Sequence, residues 1–256
     1  MENIKEDTKK PFSIITATYN SEKTLERTIK SILNQTVKDF EYIIIDGKST
    51  DGTLSIIKKY EEVFKQNNIS FSYITEKDNG IYDAWNKGIK ISKGEWISFL
   101  GSDDYYLNNA LETYYNHIDN KYNYLHSKVK IVNEAEKVIK TIGIPLSKKN
   151  FFRYMEIAHV GSFHHKSLFE KELFSLKFKA SSDYYFFIKN IENIDALFID
   201  SITAIMQFGG ISTNINLSLK ESLKVKLISK RRNKWLCYLD YILAYFKYYF
   251  SKFHNA

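Results

Sequence analysis

The chain reads as an α/β protein: a mostly parallel central sheet flanked by helices, with a helical C-terminal extension. Three observations predict this. Apolar runs at residues 12–17, 40–45, 71–75 and 96–100 alternate with stretches of helical period, as expected for strands buried on both faces and joined by crossover helices. Six of the ten glycines fall between Gly47 and Gly101, where they punctuate turns and allow close backbone approach. The densest polar clusters directly follow the apolar runs, at the carboxyl ends of the strands, where parallel sheets build their ligand sites.

The elements follow in order. The run at 12–17 is a buried strand, broken by Thr18-Tyr19-Asn20-Ser21. A helix is predicted from about residue 22, with Leu25, Ile29, Ile32 and Leu33 on one face and Ser21 as N-cap, helped by Glu22 and Thr24. The second strand, 40–45, ends in Asp46-Gly47, and a helix over 54–66 follows. The third strand runs into Asp78-Asn79-Gly80, with a helix over 82–91. The fourth ends at Gly101-Ser102-Asp103-Asp104. Beyond residue 105 the pattern is less regular. A helix is predicted near 108–118, strands at 122–132 and 137–142, a helix from Ser182, and an apolar run over 196–208 that ends in Gly209-Gly210.

Composition narrows the class. With 256 residues, 44% hydrophobic and 26% charged, the chain is an ordinary globular protein rather than a collagen-like or disordered one. Cys237 is the single cysteine, which excludes an intramolecular disulfide framework and a cysteine zinc site. The polar first dozen residues have no apolar secretion core, so a reducing, cytoplasmic location is expected. No internal repeat or Gly/Ser linker separates tethered domains. GxxxxGK[ST] and GxGxxG motifs are absent, which disfavours the usual ATPases and NAD dehydrogenases, and no HExxH supports a zinc protease. The net charge of +7 permits nucleic-acid binding, but no recognition motif supports it.

Several polar residues carry candidate chemistry. Adjacent carboxylates at Asp103 and Asp104 repel unless a cation or hydrogen-bond donors compensate them. Hard Mg2+ or Mn2+ would do so and would share phosphate oxygens with a substrate; the competing reading is a cap for a helix starting near Tyr106. Asp46 can accept from a base N–H or ribose hydroxyl, or simply hold its turn. Asp51, before Gly52-Thr53, reads as a helix cap. Asp78, Asp83 and Asn86 lie in one polar strand-to-helix segment, where Asp83 and Lys87 are also spaced for a surface ion pair. His159 suits either a phosphate donor or a core histidine. Asp183, amid aromatics at a helix start, could be a general base of raised pKa or a carboxylate held by the helix dipole.

Taken in order, the segment Phe12 through Asn20, then Tyr42-Ile43-Ile44-Ile45-Asp46-Gly47 through Thr53, the Asp78-to-Gly88 segment and Phe99-Leu100-Gly101-Ser102-Asp103-Asp104 resemble the family 2 glycosyltransferases. The resemblance is specific over residues 11–106. A weaker set, with His159, Leu168-Phe169-Glu170-Lys171, Ser182-Asp183-Tyr184 and Gly209-Gly210-Ile211-Ser212-Thr213, is similar to a bacterial exopolysaccharide, colanic-acid-type branch.

The resemblance implies a GT-A, Rossmann-like fold, a nucleotide-sugar donor and inversion at the anomeric carbon. Thr18, Asn20 and Glu22 would border the nucleotide, Asp46 the base, and Asp83 the ribose or sugar. Asp104, with Asp103 beside it, would hold Mn2+ or Mg2+ against the diphosphate; Asp183 would activate the acceptor, and His159 would face the diphosphate. Uridine is the default nucleotide, with guanosine the other option. The chain departs from the family where Gly47 replaces a second acid and where Ser182 precedes Asp183. A QxxRW-type motif is absent, which points to single sugar addition. The implied division is a tail at residues 1–10, a catalytic domain at 11–215 (donor half 11–106, acceptor half 107–215) and an extension at 216–256. A non-catalytic membrane-associated scaffold and a sugar-phosphate nucleotidyltransferase are the alternatives. The latter ordinarily has a Gly-rich basic loop, which Thr18-Tyr19-Asn20 does not supply.

The extension is basic and then strongly aromatic, and Asp240 and Lys247 interrupt it too often for a membrane span. A helix of this composition suits the interface of an anionic membrane. The other surfaces open to it are the catalytic domain or a twin subunit in a homodimer. Membrane attachment is favoured because a glycan or lipid-linked acceptor would be met there, which puts the protein at the inner face of the cell membrane.

Overall fold

Residues of alternating direction in the first four strands build two cores at once. In β1 (Phe12–Thr18) and β2 (Phe40–Asp46), Ile14, Tyr42 and Ile44 point to one face and Ile15, Ile43 and Ile45 to the other, all buried, as a two-residue side-chain period requires. The first face packs on α1 (Leu25–Leu33) and α2 (Thr53–Gln66) through Ile29, Ile32, Ile57 and Phe64. The second packs on α3 (Ile81–Ile91) through Ala84 and Trp85. The computed structural model describes residues 11–155, 157–210 and 214–254. The expected tail at 1–10 and residues 211–213 of the Gly-Gly segment lie outside the described residues.

With β3 (Ser70–Thr75) and β4 (Trp96–Gly101), these strands form a parallel sheet in the order β3-β2-β1-β4. The sheet then continues through a mixed half. After β5 (Tyr105–Tyr106) and α4 (Ala110–Tyr115) come β6 (Tyr124–Val132), β7 (Val138–Ile142), the short α5 (Lys148–Phe151), β8 (Ser162–His165), α6 (Ser182–Asn190) and β9 (Ala196–Gln207). Strand β8 joins β4 to β6 by antiparallel pairing on both sides, β9 runs parallel to β6, β5 closes on β9, and β7 pairs with β6. The chain ends in α7 (Ile215–Ser229) and α8 (Lys234–His254).

Two local expectations need correction. Helix α1 begins at Leu25, not near residue 22, and the Ser21 side chain does not cap it. Its carbonyl accepts from Thr24 and Leu25, while its hydroxyl meets that of Ser102 at 2.9 Å. Residues 22–24 form a turn because the Glu22 carboxylate is drawn to the Gly52 N–H at 2.7 Å. The helix near 108–118 is shorter than expected, and Tyr105–Tyr106 is a strand because the free edge of β9 pairs with it. Asp103 and Asp104 therefore cap no helix at Tyr106. Strand β8 had no separate sequence signal, since four residues are too few to show a period.

Candidate active site

The loops after β1, β2, β3 and β4 share the carboxyl rim of the parallel sheet. Each is anchored to a neighbour. The carbonyl of Thr18 accepts from Gly47 N–H at 2.9 Å, and its buried hydroxyl has no partner among the described residues. Asn20, at φ 50°, donates its N–H to Ser49 and accepts from the Thr50 N–H through its side chain, both at 2.8 Å. Glu22 and Asp51 complete this clasp: Asp51 accepts from the N–H of Glu22 at 3.2 Å and of Thr53 at 3.0 Å. Gly52 is the cap position of α2, and Asp51 before it plays the structural part expected by holding the helix's first N–H, that of Thr53. Asn20 and Glu22 thus reach the rim, and each has a side-chain oxygen engaged in holding two loops together.

Asp46 is fully buried at the end of β2 and accepts from the N–H and hydroxyl of Ser49. Beside it, a methyl group on Gly47 would sit 2.6 Å from Oδ2 of Asp78 and 3.3 Å from the ring of Tyr19. Glycine at 47 accordingly makes room for the Asp78 carboxylate, whose other oxygen accepts from Gly80 N–H at 2.9 Å. Exposed Tyr19, within the polar break after β1, completes a notch with Gly47 and Asp78. Asp83 accepts from Asn79 N–H at 2.9 Å and lies 3.9 Å from Lys87, the ion pair that its spacing offered. Asn86 is buried away from the rim. Its amide donates to the carbonyl of Phe174 at 2.8 Å and accepts from that residue's N–H at 2.9 Å, which leaves it a clamp and not a donor contact.

Asp104 is only 8% exposed. Burial, then the neighbouring charge of Asp103, pushes its carboxyl up to about 8, and burial likewise raises Asp103. Gly101 provides the space: a Cβ there would lie 2.6 Å from Oδ2 of Asp104 and 3.0 Å from Oδ1 of Asp103. Backbone contacts fix the pair. Thr28 donates to the Asp104 carbonyl at 2.7 Å, Gln207 N–H donates to Asp104 Oδ1 at 2.9 Å, and Arg27 donates to the Asp103 carbonyl at 2.8 Å. Two crowded carboxylates with a cation on the backbone rather than on their oxygens form a hard-oxygen donor set suited to Mg2+ or Mn2+. No third His, Cys, Asp or Glu converges on them among the described residues, so the remaining ligands would be phosphate oxygens and water.

Asp183 lies in the first turn of α6. Its Oδ1 accepts from the Tyr82 hydroxyl at 2.9 Å and the Tyr184 N–H at 2.8 Å, and burial pushes its carboxyl up to about 6. Tyr82 belongs to the polar segment that begins at Asp78, but nothing in the sequence marks it as the partner of Asp183. His159 lies beneath the rim, stacked between Trp85 and Phe99 at centroid distances of 4.8 and 5.2 Å. Its ring nitrogens are sealed from solvent and unpartnered among the described residues, and burial holds it well below the usual histidine range. A half-buried ring stacked on two aromatic neighbours matches the core-histidine alternative.

The profile described as Glycosyl transferase family 2 matches residues 13–175. The chain belongs to glycosyltransferase family 2. This family 2 chain is 41% identical over 112 residues to the Staphylococcus aureus poly(ribitol-phosphate) beta-N-acetylglucosaminyltransferase TarP, a span covering 42% of this chain and 33% of that one. It spans less than two thirds of the length of the curated relatives it matches. Its fold, of the GT-A type, is similar to that of S. aureus TarS in complex with UDP-GlcNAc: TM-score 0.65, 21% identity, covering 88% of this chain and 69% of that one. The Pyrobaculum calidifontis mannosyltransferase PcManGT, in complex with GDP-Man and Mn2+, superposes with TM-score 0.64 at 17% identity, covering 88% and 65%.

Proposed function

We propose that this family 2 chain is an inverting, metal-dependent glycosyltransferase. It moves one sugar from a nucleoside-diphosphate donor, UDP by default and GDP as the second option, to a hydroxyl of a glycan or lipid-linked acceptor. The observation that carries the reading is the crowded Asp103–Asp104 pair after β4, Asp104 buried and Asp103 half-buried, with Gly101 leaving room for it. Fold neighbours solved with UDP-GlcNAc and with GDP-Man and Mn2+ support the donor class.

Asp104, with Asp103, would hold Mn2+ or Mg2+, which when bound neutralises charge gathering on a departing diphosphate. Thr18, Asn20, Glu22, Asp46, Asp78 and Asp83 border the donor in this reading, with the base in the notch of Tyr19, Gly47 and Asp78. Asp183 takes the proton of the acceptor hydroxyl while that oxygen attacks the anomeric carbon. The carbon–oxygen bond to the diphosphate breaks with its electron pair on the leaving group. Attack from the opposite face inverts the centre. Tyr82 holds the base in position throughout.

Residues 11–106 serve as the donor half, 107–215 as the acceptor half and 216–256 as an attachment region at the inner face of the cell membrane. The pathway is surface-glycan synthesis. The relatives' names, for poly(ribitol-phosphate) and for PGL/p-HBAD biosynthesis, widen the acceptor class beyond the exopolysaccharide branch that the second motif set suggested. A thermal-shift screen of UDP- and GDP-sugars with and without Mn2+ tests the reading, because ligand that binds only the folded state raises the midpoint. Manganese-dependent stabilisation by a sugar nucleotide is expected; none with any donor would overturn it.

A further inference from the structure

We propose that the outer side of α8 docks on an anionic lipid bilayer, with its apolar side chains toward the acyl chains and the flanking cations on lipid phosphates. The inference deepens the membrane placement above, and it stands on observations separate from the transferase chemistry.

The inner edge of α8 is committed to the protein. Cys237 and Asp240 are buried, and α8 packs along α7. Asp240, 2% exposed, accepts from Arg232 at 2.8 Å and Arg153 at 3.2 Å and lies 3.6 Å from Lys226. This locks the helix in one rotation about its axis and withdraws its only acidic residue from the surface.

The outer side is therefore apolar and cationic. Trp235, Leu239, Ile242, Phe246 and Phe250 recur at spacings of three or four, which places them on one face, and all are exposed, Trp235 by 70% and Phe246 by 56%. Leu236, Tyr238 and Leu243 widen the patch. A contiguous apolar patch of this kind marks an interaction surface. Lys230, Lys234 and Lys247 are exposed around it.

Charge identifies the occupant. Residues 216–256 contain nine Lys and Arg against two acids, a surplus of seven that equals the +7 of the whole chain. The remainder of the chain is thus formally neutral, and the entire positive excess sits on this extension. Of its two acids, Asp240 is buried and Glu221 accepts from the N–H groups of Lys179 and Ala180. A second copy of this chain would bring cations against cations, whereas an anionic bilayer complements both the charge and the aromatic rim. The helix lies on the bilayer and does not cross it: no helix among the described residues is long and apolar enough to span a membrane.

The test is co-sedimentation of the full chain with phosphatidylcholine vesicles, with and without phosphatidylglycerol. Salt-sensitive partition onto the phosphatidylglycerol vesicles is expected. Leu239→Glu with Phe246→Glu should lower it at least about tenfold, and each of Lys230→Gln, Lys234→Gln and Lys247→Gln about fivefold. The unfolding midpoint and the sugar-nucleotide thermal shift should stay unchanged. Equal partition onto neutral vesicles, or undiminished binding by the double variant, would overturn the proposal. So would a dimer in light scattering that the double substitution abolishes while vesicles are ignored. Loss of donor binding in the unaltered chain would count against the transferase reading and leave docking intact.

Discussion

Asp183 sits in surroundings that pull its proton affinity in two directions. Burial raises its carboxyl to about 6, while hydrogen bonds from Tyr184 and Tyr82 favour the charged form. A base must be unprotonated, so turnover should rise with pH through about 6. Tyr82→Phe removes a donor to the carboxylate and should move that limb of the pH–rate profile upward. Asp183→Asn should preserve the donor-induced thermal shift while turnover falls roughly 10²–10⁴-fold; near wild-type turnover would sink the assignment. On the proposed function, two glycines bear separately on the metal and on the nucleobase. Gly101→Ala drives a Cβ into Asp104 and should weaken Mn2+ binding by calorimetry. Gly47→Ala displaces Asp78 and should weaken the nucleotide with Mn2+ affinity unchanged.

At the level of elements, the site is held by clasps between segments far apart in sequence. Asn86 on α3 ties down Phe174 in the approach to α6, and Glu221 on α7 accepts from the N–H groups of Lys179 and Ala180 in the same approach. Asn86→Ala leaves both backbone groups of Phe174 unpaired in a buried place, and should cost about 1–3 kcal/mol in denaturant titration. Its effect on turnover would follow through the placement of α6. The first four strands and three helices were legible in sequence because each has its own apolar period. Strands β5 and β8 were not, since two- and four-residue strands exist only through partners supplied by β9, β4 and β6. For the same reason Tyr105 and Tyr106 pair with β9 rather than start a helix after Asp103-Asp104.

At the scale of the whole molecule, one buried carboxylate ties α8 to the rest of the chain. Asp240 gathers Arg153 from the region after α5, Lys226 from α7 and Arg232 before α8. Removing one partner of a buried ionic group leaves the others uncompensated, so Asp240→Ala should lower stability by about 3 kcal/mol. Chemical denaturation would measure it, and an unchanged midpoint would mean that the cluster contributes nothing net. From sequence alone, Asp240 was merely an interruption in an aromatic run; its burial turns it into the anchor that leaves the rest of α8 facing outward.

Local order and chemical type belong to the chain itself: the alternating strands and helices, the acids that end them, and the basic aromatic extension follow from side-chain period and composition. Which of the polar side chains remain available was decided only in three dimensions. Asn86 turned inward to a backbone 88 residues away, His159 stacked on Trp85 and Phe99, and Asp183 met Tyr82 across 101 residues. Hydrogen bonding and desolvation depend on neighbours that folding alone brings together, and no spacing along the chain encodes them.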